Sequence, residues 1–299
     1  MKAQELQTLL QSAHPPALLH VLPGEVFTAR RIPGSRNACV YETAFLEQVK
    51  ALGLDPAGAL VVYGAGGRSL DAATAAEKLR GAGYADVREF AGGLEEWQAA
   101  GGALEGSGEL PEAPVPDGAY TVDAALSVIR WTGRNLFNHH SGTVRLREGE
   151  IRVRQGELGS GRFTIDMATI ACEDLGDPAL NAMLLAHLRT GDFFDVERHP
   201  TAEFVAESAE RIATCTDGTP NFVLRGTFTL RGVSRPLEFP VLIAAKDEGR
   251  HLTGQGVLEI DRTEYGSQYG SGKLFRFLGQ HVVNDLVHLH VKVVAEQEG

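Results

Sequence analysis

Two periods of apolar and polar residues divide the chain. From residue 119 onward the period is two: Val144 and Leu146 alternate with Arg145 and Arg147, and Ile151 and Val153 with Arg152 and Arg154. Phe163, Ile165 and Met167 alternate with Thr164 and Asp166; Phe222, Leu224, Gly226, Phe228 and Leu230 with Val223, Arg225, Thr227 and Thr229. Near the end Val287, Leu289, Val291 and Val293 alternate with His288, His290 and Lys292. Successive side chains of a strand point to opposite faces, so these segments are half-apolar strands. Repeated and joined by Gly-rich turns, they predict an all-β antiparallel barrel or sandwich. A closed barrel of about eight strands has no exposed edge and is just wide enough to hold one ligand.

Residues 1–101 follow the other rhythm, short apolar runs alternating with helical stripes, which predicts an α/β domain. Ala17–Val21 and Leu60–Tyr63 read as buried strands of a parallel sheet. Ala72, Ala75, Ala76 and Leu79 form a helical stripe with Ser69 as its expected N-cap, and Val87–Phe90 is a further strand. Residues 102–118, rich in Gly, Pro and Glu, read as a linker to a second domain at 119–296. Within that second domain one stretch is not strand-like. Ala182–Leu188 has a helical face, and Thr190–Pro200 then offers Asp192 to cap a turn, Phe193-Phe194 to plug an apolar space, and His199-Pro200 to force an extended exit.

The same stretch, HLRTGDFFDVERHPTAEF, resembles the most recognisable segment of the YceI-like polyisoprenoid-binding proteins. The likeness continues through NFVLRGTFTLRGVSRP (Asn221–Pro236) and IDRTEYG (Ile260–Gly266), and begins near Tyr120–Asp123 and Ser127–Trp131. It implies a lipocalin-like barrel over about Ala119–Ala295 whose interior holds a long isoprenoid chain. On that implication and on apolarity, the lining is expected at Trp131, Phe163, Ile165, Phe193, Phe222, Leu224, Phe228 and Leu289. Arg134, Asn135 and His140, in a loop that departs from the commonest family form, are expected at the pocket mouth. Arg134 has two candidate partners, a ligand head group or the Asp166 carboxylate.

Residues 1–101 resemble a rhodanese-like domain, on Arg31–Ser35 with Asn37, on Gly83–Val87 and on Gly92–Gly101. In that family a cysteine follows the central strand and carries sulfane sulfur as a persulfide, its thiol pKa lowered by surrounding backbone N–H groups. Here Gly64 stands after Tyr63, followed by Ala65, Gly66, Gly67 and Arg68, one residue short of the family's loop, and His20 replaces a frequent acid. No sulfur transfer by the usual route is expected. The loop is either a tight turn or a weak site for an anion or partner.

Net charge of −11 over 299 residues, with no basic run, argues against a nucleic-acid partner. Cys39, Cys172 and Cys215 have neither disulfide nor zinc-ligand spacing. No signal peptide or membrane span is read, so a soluble, cytoplasmic protein is expected. Among ten histidines, His139-His140 and His288-x-His290 have ligand-compatible spacing, with His187, His199 and His281 elsewhere, but solvent-facing roles are the plainer reading. Neither metal nor cofactor is therefore expected, and a homodimer is left open. The leading expectation is a non-enzymatic carrier of an isoprenoid-like amphiphile with a non-catalytic module for regulation or for binding a partner or anion. The alternative is a metal-binding or sulfur-metabolism, stress-related enzyme using the barrel histidines or a non-standard rhodanese site.

Overall fold

The computed structural model describes residues 1–108 and 115–298 in two compact units, Met1–Glu112 and Ala113–Gly299. Residues 109–114 of the expected linker lie outside the described residues.

The first unit runs α1 (Ala3–Leu10), β1 (Ala17–His20), α2 (Gly24–Ala29), β2 (Arg36–Asn37), α3 (Phe45–Ala51), β3 (Ala59–Tyr63), α4 (Asp71–Gly81), β4 (Asp86–Phe90) and α5 (Gly93–Ala99). The strands form a parallel sheet in the order β2-β1-β3-β4. Both faces are covered, which is why β3 is apolar without alternation. Leu60 and Val62 pack with Val49 of α3 and Ala75 of α4, while Val61 and Tyr63 pack with Leu6 of α1 and Trp97 of α5. Ser69 does not cap α4. Leu70 takes the N-cap position, and the Ser69 hydroxyl donates to Asp71 at 2.7 Å. The Asp71 carboxylate also accepts from the Ala65 and Ala72 N–H groups, so it meets loop and helix donors alike. Ala103, Glu105 and Gly108 are hydrogen-bonded to this unit through Trp97, Arg31 and Ala29.

The second unit runs β5 (Gly118–Val122), β6 (Val128–Arg134), β7 (His139–Arg154), β8 (Glu157–Cys172), α6 (Pro178–Arg189), β9 (Thr201–Arg211), β10 (Phe222–Leu230), β11 (Val233–Lys246), β12 (His251–Asp261) and β13 (Leu286–Gln297). Short 3-10 turns cover Arg262–Tyr265 and Gly279–His281. All pairings are antiparallel, from β7 through β13, and the ring closes through β5 and β6. Those two share one strand position between β7 and β13. β5 pairs near Val153 and Ala295, and β6 near Val144 and Val291. The result is a closed eight-strand antiparallel barrel, and closure leaves no edge to aggregate.

Candidate functional site

The inward half of each strand leaves a void instead of filling it. A cavity of about 430 Å³ runs inside the barrel, walled almost wholly by aliphatic and aromatic side chains. Trp131, Phe163, Ile165, Phe193, Leu224, Phe228 and Leu289 all line it. Phe222 does not: it is buried at the far end of β10 with the Arg211 guanidinium 4.7 Å from its ring centroid. Small inward residues, Gly254 and Gly256 on β12 among them, keep the interior open.

One end is covered by α6 and the turn after it. Asp177 caps the helix, its Oδ1 accepting from the Ala179 and Leu180 N–H groups at 2.8 and 3.1 Å, with Pro178 at the first helical position. Leu184, Leu185 and Leu188 then pack with Trp131, Ile170 and Phe193. The turn is held by the Thr190 carbonyl, which accepts from Phe193 N–H and Asp195 N–H, and by Arg231, which donates to the Phe193 carbonyl. Asp192 pairs with His187 at 3.2 Å. Phe193 sits 5.0 Å from the His187 ring and 5.4 Å from Tyr269. Phe194 lines the cavity beside it.

Arg262 borders the cavity at the same end and is 1% exposed. Its guanidinium donates to the carbonyls of Asn284, Ser267 and Val283, and lies 3.6 Å from Asp285. Burial pushes its pKa down, opposed by the charges of Asp285 and Asp261. Phe193 lies against the cation, 5.6 Å from ring centroid to guanidinium carbon.

Arg134, Asn135 and His140 also line this end. Asn135 Oδ1 is engaged by the N–H groups of Phe137 and Asn138, so its acceptor shapes the loop. Arg134 forms no ion pair with Asp166, whose Oδ1 accepts from Ala168 N–H. His140 Nδ1 lies 3.1 Å from Asp174, which also accepts from Ser141 N–H and from the Cys172 thiol. Burial acts to raise the Asp174 carboxyl, but these hydrogen bonds outweigh it and hold its pKa at about 2. Cys172 is pushed up by burial and by its bond to Asp174. The three ligand atoms lie within 4.8 Å of one another, the one metal-compatible group among the described residues. The other histidines do not join it. His288, on the outer face of β13, pairs with Glu259 at 2.8 Å, and His187 contacts Phe193 and Tyr269. At the opposite end β8 and β9 part beyond the Gly161–Ala206 pair, and Ser160 and Ser208 line the cavity there.

In the first unit, Tyr63 Oη accepts from Ile32 N–H, and Asn37 donates to the carbonyls of His20 and Leu22, fixing the Arg31–Asn37 segment against the strand ends. A Cβ built on Gly64 would overlap the Asp71 carboxylate. Gly66, at φ +101°, has its Cβ direction blocked by the Gly92 carbonyl. Arg68 and Gly67 are exposed. His20 is 0% exposed, its ring edge-on to Tyr63, and its Nε2 has no hydrogen-bond partner. Burial lowers its pKa to about 4, with Asp71 opposing and Arg31 assisting.

The second unit thus defines a closed antiparallel barrel with an apolar internal cavity, capped by a helix. The model of the YceI-like domain matches residues 120–295, and the chain belongs to that family. The model of the rhodanese-like domain matches residues 2–100. Among solved structures, the chain is similar to Burkholderia cenocepacia BcnA, with 24% identity covering 58% of this chain and 98% of that one at a TM-score of 0.45. It is also similar to a polyisoprenoid binding domain from Saccharophagus degradans, with 14% identity, 60% and 98% coverage and a TM-score of 0.43. The Alr3790 protein from Anabaena shares 28% identity over 36% of this chain and 91% of its own, at a TM-score of 0.33. No curated protein matches the chain. No helix among the described residues is long and apolar enough to cross a membrane.

Proposed function

We propose that the barrel binds an isoprenoid-like amphiphile, its chain in the cavity and its head group near Arg134, Asn135 and His140. The observation that carries this is an apolar cavity with polar side chains gathered at its ends. Binding is passive. Each CH₂ or CH₃ group transferred from water contributes about 0.8 kcal/mol, so a five-carbon unit contributes about 4 kcal/mol before the costs of association. The first unit acts as a non-catalytic module, because Gly64 offers no nucleophile and Asp71 occupies the space a side chain there would need. Three free cysteines, Cys215 exposed among them, fit a reducing compartment such as the cytoplasm.

The test is a thermal scan of the full chain with prenols of increasing length, beside mass spectrometry of whatever copurifies. Saturation should raise the barrel's midpoint. Phe228→Asp, on the inner face, should abolish the rise, whereas Thr229→Asp, on the outer face, should preserve it. No shift with any prenol, and nothing copurifying, would refute the proposal.

A further inference from the structure

Eight of the thirteen large apolar side chains left exposed among the described residues stand on three segments around the α6 end of the barrel. Leu136 and Phe137 follow β6, Leu180 and Met183 lie on α6, and Phe275 and Phe277 belong to the loop between β12 and β13. The segments adjoin one another. Asn284 N–H donates to the Arg134 carbonyl at 2.8 Å, and Tyr269 meets His187 of α6 at 4.7 Å between ring centroids. Arg134, Asn135, Leu184 and Tyr269, from the same three segments, line the cavity. The apolar fringe therefore stands beside the residues that line this end of the apolar interior.

We infer that this end docks on an anionic lipid bilayer, the surface with which the cavity exchanges its amphiphile; the inference rests on the binding reading above. Phe137 is 78% exposed and Phe277 102% exposed. Phe277 is held there at φ +62°, a conformation a bulky side chain rarely adopts. Apolar tips carried on separate loops suit shallow insertion between head groups, where aromatic rings partition readily. Local charge favours an anionic surface: loops 134–140 and 262–285 carry Arg134, Arg262, Lys273 and Arg276 against Glu264 and Asp285, in a chain of net charge −11, with Lys273 also paired to Asp261 at 3.1 Å. Asp177 and Asp192 flank α6, so the attraction belongs to the two loops. A protein partner would instead need a continuous complementary surface across the cavity entrance.

The test is cosedimentation of the full chain with vesicles of phosphatidylcholine alone or mixed with phosphatidylglycerol. The mixed vesicles should retain more protein, and Phe137→Ser with Phe277→Ser should lower vesicle affinity about tenfold. Lys273→Glu with Arg276→Glu should remove the preference for the anionic mixture. None of these four residues lines the cavity, so the thermal shift given by a prenol in solution should survive in both variants. Prenol binding without vesicle binding would overturn the docking inference while leaving the binding reading intact, and would assign the fringe to a protein partner. Vesicle binding undiminished in the serine variant would overturn it as well. Vesicle binding that follows the variants without any prenol shift would uphold docking and sink the binding reading.

Discussion

Gly254 offers a direct way to ask whether the barrel interior is the ligand site. It faces the cavity on β12, and a Cβ built there meets only Val241 Cγ2, at 3.9 Å, an ordinary contact. Gly254→Phe would therefore direct a ring into the void with no clash at its Cβ. Burying that ring contributes about 1.5–3 kcal/mol, and removing a strand glycine about 0.5–1 kcal/mol more. The ligand-free variant should thus be more stable than the parent by about 2–4 kcal/mol. The ligand effect should move the other way. At a prenol concentration of about 100 Kd the parent gains about 2.7 kcal/mol, which at about 2–4 °C per kcal/mol for a unit of this size is about 5–11 °C. The variant should lose that gain. Trp131, which lines the cavity, reports the transition by its emission in a Trp97→Phe background. Gly256→Phe is the contrast, because its Cβ would lie 3.1 Å from the Phe239 ring and overpacking costs about 1–3 kcal/mol. A parent that shifts with prenol beside a Gly254→Phe variant that shifts equally would place the ligand outside the barrel.

The other expectations concern the first unit and the polar cluster. The full chain should form no thiocyanate from thiosulfate and cyanide, and Gly64→Cys alone should restore none, since its Cβ would collide with Asp71; turnover above background in either protein would be decisive against this. His20 should make folding pH-dependent. Its pKa falls from 6.5 to about 4 on folding, so the stability it confers is complete above pH 6.5 and is lost as pH drops toward 4, by about 3 kcal/mol. Urea titrations across that window should show His20→Gln flattening the slope relative to the parent, and equal slopes would contradict the assignment. Elemental analysis of the purified chain should find no stoichiometric transition metal, because Cys172, its pKa raised, would have to lose its proton to become a ligand. About one metal per chain, lost on His140→Ala or Cys172→Ala, would favour the metalloprotein alternative.

Much of the fold was legible because period is a local property. The alternation through Phe222–Leu230 identified the inward face of β10, and Leu224 and Phe228 do border the cavity. Phe222 shares their parity yet sits under Arg211, since alternation reports the face of a strand and not the height along the barrel axis. The helix read over Ala182–Leu188 begins earlier, at Pro178, where Asp177 caps it. Asp71, Arg262 and the Cys172–Asp174 pair carried no such signal. Each acquires its role through contacts with another segment: Asp71 with Ala65, Arg262 with Val283 and Asn284, Asp174 with His140. A buried arginine at a cavity wall, in particular, looks in sequence like any polar residue at a strand end.

The two units treat an interior space in opposite ways, and the contrast bears on function. In the first, the space beside Gly64 is filled by the chain's own Asp71 carboxylate, with its donors supplied by Ala65, Ser69 and Ala72. That carboxylate occupies the room a side chain at position 64 would need. In the barrel a void of about 430 Å³ persists although Gly254 has room for a side chain. Unfilled apolar volume costs on the order of 24 cal/mol per Å³, so a sealed void of this size would forgo on the order of 10 kcal/mol, and access of water at the ends makes that a ceiling. Such a figure is comparable to the whole stability of an ordinary domain, about 5–15 kcal/mol. On the proposed reading, the contacts that the wall forgoes are supplied by the bound amphiphile. The same arithmetic explains why the occupant should be long and apolar: only a chain that replaces wall contacts along the cavity recovers a substantial part of the loss.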